Sequence, residues 1–369
     1  MRAFNRGFIK KQNKNKNKKM NFLKIKLTLL LAISLLSVNF TIMAQNSIAA
    51  ENDINILKDI RSFLKVLNSG DGKPLETLAP IEARMVLVNT QKSVPFTYND
   101  VEETERKFSV EGQSVNIHIM KPKASNNDLP VFMFFHGGGW VLGDYPTHKR
   151  LVRDLVVNSG AAAVFVDYTP SPEAHFPVAI NQAYAATKWV AEHGKEIGVD
   201  GSRLAVVGNS VGGNMAAVVS LMAKDKKGPK ISFQLLLWPV TDANFTRPSY
   251  TEYGKDRFLT SSLMQWMWDQ YTTDPIERKS IYASPLQATV EQLKGLPPAL
   301  VQVAENDILH DEGVAYGRKL DEAGVSVTIA EYKGFIHDYG MLNPLAKIPA
   351  VQSSIKQAAV ALKDALSKK

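Results

Sequence analysis

The run LAVVGNSVGGNMAAVVSLMA, residues 204–223, decides how the rest of the chain is read. Residues 204–207 are apolar and fit a buried strand. Gly208-Asn209-Ser210-Val211-Gly212 then matches G-x-S-x-G, and residues 213–223 read as a helix. A serine on a strand-to-helix turn adopts a strained backbone, and flanking glycines keep the turn clear of its neighbours. The free N–H groups and positive dipole end of the helix then face a developing oxyanion. A glycine-rich turn with an incidental serine is the bland alternative. The strand before it and the helix after it argue for a nucleophile.

Outward from this turn the texture is regular. Short apolar runs at 131–135, 162–166, 204–207, 233–238, 299–304 and 325–330 are separated by helical stretches. That alternation predicts an α/β fold with a mostly parallel central sheet and helices on both faces. A hairpin is expected ahead of it, from strands 106–110 and 115–120 around Glu111-Gly112-Gln113. Residues 51–95 read as helical, with Ile54, Leu57, Ile60, Leu64 and Leu67 at helical spacing. Between Trp238 and Pro285 no strand is evident. Residues 261–271 read as a helix with apolar positions Leu263, Met264, Trp266, Met267, Trp268 and Tyr271, and Thr260, Ser261 and Ser262 offer N-caps. An insertion after a strand's C-terminal end lies where α/β sheets bind ligands. Trp266, Trp268, Met264 and Trp140 are therefore the candidate substrate-binding residues. Ordinary packing on the main body is the competing reading.

A serine hydroxyl needs a base. Of the seven histidines, only His310 and His337 follow Ser210, as the order Ser, acid, His requires. His337 is placed in a loop, 333–337, after the strand at 325–330, and is assigned as base. His310 sits beside the acid candidate and is given a surface role. The strand at 299–304 ends in Glu305-Asn306-Asp307. Asp307 is the preferred acid, fixing the imidazole tautomer and stabilising its cation. Glu305 competes with it, and Asp307 could instead cap the helix that follows. His136-Gly137-Gly138-Gly139-Trp140 follows another strand, and such a glycine run lets backbone N–H groups reach a carbonyl oxygen. A phosphate loop would carry a Lys-Ser/Thr pair here, where the chain has Trp140-Val141.

The net charge of +8 belongs to one end. Residues 1–50 hold ten Lys/Arg and no acid, and the remainder carries 34 basic and 36 acidic residues, a net of −2. The body thus has no electrostatic case for nucleic acid. Lys24 and Lys26, an apolar stretch over 27–43, and small residues at 44 and 47–50 read as an export signal, cleaved near residues 44–50. The apolar stretch is short against the ~20 residues that span a bilayer. An uncleaved anchor is the other reading, and Met20 an alternative start. There is no cysteine; disulfides, thiolate metal sites and a cysteine nucleophile are excluded. No metal or cofactor is implied.

On these landmarks the chain resembles the bacterial hormone-sensitive-lipase-like esterases of the α/β-hydrolase fold. The resemblance runs from about Asn99 to the C-terminus. It rests on residues 136–140, Val166-Asp167-Tyr168, Pro172-Glu173-Ala174-His175-Phe176-Pro177, residues 208–214 and 304–313, and Phe335-Ile336-His337. It implies a carboxylesterase with nucleophile Ser210, acid Asp307 and base His337, and oxyanion donors at Gly138, Gly139 and Val211. Short-acyl esters are the expected substrates, because a compact cap with the bulky Trp266, Trp268 and Met264 would crowd long chains. It also implies a cap built from 51–95 and an insertion at about 241–284 on a body of 96–369. Three positions depart from the family pattern. Asn209 replaces an Asp, Val211 replaces an Ala, and His337-Asp338-Tyr339 replaces His-Gly-Phe. The last puts a carboxylate beside the base if Asp338 points inward. A glycan deacetylase or peptidase would use the same groups, and a non-catalytic receptor would be expected to lack one of the three. Oligomeric state is not legible.

Overall fold

A computed structural model describes residues 48–367, apart from 71, 111, 126 and 127. The expected export leader lies, up to residue 47, outside the described residues. Within the compact unit Ala50–Lys369, eight strands form one sheet. They are β1 (Val101–Val110), β2 (Gln113–Pro122), β3 (Leu129–Phe135), β4 (Ala162–Asp167), β5 (Val199–Asn209), β6 (Phe233–Leu237), β7 (Ala299–Asn306) and β8 (Val327–Ile336). Their order is β1-β2-β4-β3-β5-β6-β7-β8. The first two pairings are antiparallel and the rest parallel. The central strands are apolar because both faces are covered: Val131 to Phe135 show no exposed surface at all.

The main helices are α1 (Lys58–Asn68), α2 (Pro80–Lys92), α3 (Tyr145–Ser159), α4 (Val178–His193), α5 (Val211–Asp225), α6 (Ser261–Tyr271), α7 (His310–Glu322) and α8 (Pro349–Ser367). Helix α5 is buried from Val211 to Ala223, which explains its lack of a polar face. Helix α6 starts where Thr260 Oγ1 accepts the Leu263 N–H at 3.1 Å.

Register places the site. Phe135 pairs with Gly208, so the glycine loop and the serine turn leave the sheet side by side. Asn306 pairs with Ile336, so Asp307 and His337 do the same. All four segments emerge at the C-terminal ends of parallel strands.

Two expectations need correction. The last strand is Val327–Ile336, not 325–330. As an edge strand it mixes half-buried and exposed residues over 327–333, with Glu331 and Lys333 outward, and is buried only over its last three residues; His337 follows it directly with no intervening loop. In the N-terminal segment the helical spacing fails at its ends. The helix begins only at Lys58. Ile60 and Leu64 are buried, while Ile54 is 84% exposed and Leu67 40%. Leu57 N–H bonds to the Gly334 carbonyl at 3.0 Å, and Ala50–Asn52 form a separate 3-10 turn, so the residues before Leu57 lie outside the helix.

Candidate active site

The turn at Ser210 is fixed by backbone crowding. Ser210 has φ +56°, and its N–H donates to the Leu237 carbonyl at 2.9 Å. A methyl on Gly212 would run into the Phe135 carbonyl, and one on Gly208 into the Gly212 carbonyl. Only glycine lets β5, β3 and α5 approach so closely.

His337 Nε2 lies 3.0 Å from Ser210 Oγ, and Nδ1 lies 2.6 Å from Asp307 Oδ2. All three groups are buried. Burial by itself would push the imidazole's pKa down; the charges of Asp307 and then Asp338 outweigh it, so the net shift is upward. Asp307 is not the helix cap, since the helix starts at His310 with Leu309 in the cap position; its Oδ1 accepts the Leu309 N–H at 2.9 Å, which fixes the turn ahead of the helix and leaves Oδ2 to the imidazole. Glu305 is engaged elsewhere, accepting from Gly334 N–H at 2.7 Å and pairing with Lys333. His310 pairs with Asp311 and Glu331 away from Ser210.

The glycine loop is braced from below. Asn209 Oδ1 accepts the Gly137 N–H at 3.0 Å. His136 is buried, with Tyr168 stacked on it at 4.1 Å, and Tyr168 Oη donates to the His136 carbonyl at 3.0 Å. Burial pushes His136 down, so the ring acts as a neutral spacer. Gly138 and Gly139 take φ +99° and +65°. The Gly138 carbonyl accepts from Leu142 N–H at 2.7 Å, which closes the turn. Arg84 on α2 donates to the Val141 carbonyl at 2.7 Å and to the Ser171 carbonyl at 3.0 Å, while its guanidinium grips Glu173. Val211 opens α5 beside Ser210.

The four substrate-binding candidates fall differently. Trp140 is fully buried, stacked on Tyr271 at 3.9 Å and edge-on to Trp268 at 4.8 Å. Trp268 and Met264 are also enclosed, and Trp266 is half-buried. Trp268 and Tyr271 thus pack α6 against Trp140 at the end of the glycine loop. Met267 of α6 lies over the glycines themselves, its sulfur standing where a Gly139 methyl would be. Nothing in the apolar run of α6 distinguished Met267 from its neighbours. Asp338 does point inward: it is 4% exposed, and its Oδ2 lies 3.9 Å from His337 Nε2.

A buried hydroxyl, imidazole and carboxylate in series, beside a glycine loop and a helix N-terminus, can carry acyl transfer. Residues 132–341 match the family described as alpha/beta hydrolase fold. A crystal structure of an esterase from Pseudomonas putida is 59% identical, with a TM-score of 0.85, over 86% of this chain and 100% of that one. Carboxylesterase NlhH of Mycobacterium tuberculosis is 33% identical over 84% of this chain and 97% of its own. Ethyl acetate hydrolase of Pseudomonas putida is 33% identical over 76% and 91%. Matched along most of its length by esterases of one fold, the chain belongs to the α/β-hydrolase family, in its hormone-sensitive-lipase-like branch.

Proposed function

We propose that this carboxylesterase hydrolyses short-acyl esters through an acyl-enzyme on Ser210. The array Asp307–His337–Ser210, with separations of 2.6 and 3.0 Å, carries the reading. His337 Nε2 takes the Ser210 proton as Oγ attacks the ester carbonyl. Backbone N–H groups of Gly138, Gly139 and Val211 face the oxyanion. His337 returns the proton to the departing alcohol, then takes one from the water that attacks the acyl-enzyme. Asp307 holds the tautomer and stabilises the imidazolium. Segments 51–95 and 241–284 act together as a cap. In support, Arg257 pairs with Asp53 at 2.8 Å, Ser262 Oγ donates to Glu76 at 2.6 Å, and Asn68 donates to the Asp256 carbonyl at 2.9 Å. The Met267 side chain over Gly139 and the acetate ester named for one relative both favour a small acyl group. The basic and apolar pattern of residues 24–50 favours export with removal of the leader.

A panel of p-nitrophenyl esters of rising acyl length tests the substrate class. Acetate to butyrate should give the highest kcat/KM, and a fluorophosphonate probe should label Ser210. A maximum at long chains refutes the short-acyl reading.

A further inference from the structure

Asn209 and Asp338 are separate departures in the sequence, but in the structure they touch. Asn209 Nδ2 donates to Asp338 Oδ1 at 2.9 Å, and Trp238 Nε1 donates to the same oxygen at 2.6 Å. Asp338 itself sits in the left-handed region, φ +57°, on the turn just after His337. With Oδ1 held by two donors, Oδ2 is set 3.9 Å from His337 Nε2. The imidazole therefore lies between two carboxylates. Asp307 bonds Nδ1, and Asp338 flanks the nitrogen that exchanges a proton with Ser210.

We propose that Asp338 is a positioning residue that stabilises the cationic form of His337 and sets the acid limb of the pH–rate profile. Asn209 and Trp238 hold it in place. The proposal rests on the serine-esterase reading above. At 3.9 Å the carboxylate leaves the Nε2 lone pair to the Ser210 hydroxyl. Its attraction is coulombic and exists only once the ring is charged. That charge appears when the serine attacks, so Asp338 favours the transition state over the neutral resting ring. The same attraction favours protonation of the resting enzyme, which silences the base at low pH. Among the described residues, the charges that bear on the ring are those of Asp307, from the end of β7, and Asp338, from its own turn. Tyr250 and Tyr339 lie close to Asp307, and burial pushes both hydroxyls well up, so they stay neutral.

The pairing explains Asn209. An aspartate there would set two carboxylates 2.9 Å apart. The amide instead accepts from Gly137 N–H through Oδ1 and donates to Asp338 through Nδ2. One side chain thereby couples the glycine loop to the turn that carries the base.

The test is kcat/KM for p-nitrophenyl acetate against pH. Asp338→Asn keeps an acceptor for both donors and removes the charge. Its acid-limb midpoint should fall by about one pH unit, so it outperforms wild type relative to its own plateau at low pH. The plateau itself should drop severalfold. Asp338→Ser gives the same reading if the amide does not fold. A folded neutral variant with an unshifted midpoint overturns the proposal. Asn209→Asp alone should lower Tm, and adding Asp338→Asn should recover most of the loss. Losses that simply add would break the pairing. A wild-type enzyme without Ser210-dependent hydrolysis would strike the esterase reading itself, a result distinct from an unshifted midpoint.

Discussion

The turn at Ser210 and helix α6 both press on the glycine loop, and they are held by different means. At the turn, backbone meets backbone: a side chain on Gly212 collides with the Phe135 carbonyl, and one on Gly137 crowds the Asn209 carbonyl. At α6, side chain meets backbone: Met267 fills the space over Gly139, and Trp268 and Tyr271 pack on Trp140. Backbone fits admit one residue type. Side-chain fits admit several of similar volume, with adjustment. Chemistry should therefore fail outright when the first region is changed, and selectivity should drift when the second is.

The largest effect belongs to Ser210→Ala. The chemical step should fall by roughly four or more orders of magnitude with Tm unchanged. Near-normal turnover would remove the nucleophile from this turn. Asp307→Asn comes next, with a loss of about three to four orders of magnitude in kcat, because the amide can present the wrong partner to Nδ1. Glu305→Gln should keep most activity, since Glu305 is spent on Gly334 and Lys333. The reverse ranking would move the acid to Glu305.

Gly212→Ala tests the backbone fit through stability. The added methyl meets a carbonyl of β3 that cannot yield without moving the sheet. Destabilisation of about 1–3 kcal/mol or more is expected, read as a lower Tm. A thermally neutral Gly212→Ala would show that the turn has slack.

The contrast also explains what could be read in advance. The sheet, and the juxtaposition of Ser210, His337 and Asp307 as candidate nucleophile, base and acid, are legible because each obeys a short-range rule: apolar runs, flanking glycines, and order along the chain. The end of β8 was misplaced because Glu331, Lys333 and Gly334 disguise an edge strand. Asp338 was visible only as a condition. Whether it turns inward depends on Trp238 and Asn209, which meet it from distant parts of the chain. The N-terminal helix is read too long at its start because Ile54 repeats the spacing while lying exposed and ahead of Lys58, where the helix begins. Among the α6 residues, size singles out Trp266, Trp268 and Met264 and passes over Met267, because size says nothing about which side chain lies over Gly139.

The smallest effect is the one that sharpens the comparison at its weaker side. Met267 reaches the glycine loop at Gly139, whereas Met264 and Trp268 are enclosed in packing. Met267→Ala should therefore open room beside the acyl group, while Met264→Ala should leave a cavity in the interior. A methylene in a binding pocket is worth about 1–3 kcal/mol of discrimination, so the outcome is a shift in preference and not a loss of turnover. Butyrate and hexanoate esters should gain roughly tenfold in kcat/KM relative to acetate in Met267→Ala. Met264→Ala should destabilise the fold by about 2–5 kcal/mol, read as a lower Tm, and keep the wild-type acyl profile. If the two variants exchange these phenotypes, Met264 lines the pocket and Met267 is core. If Met267→Ala abolishes turnover of every ester while folded, the helix supplies more than a wall. The division between a backbone-built chemical site and a side-chain-built selector would then fall.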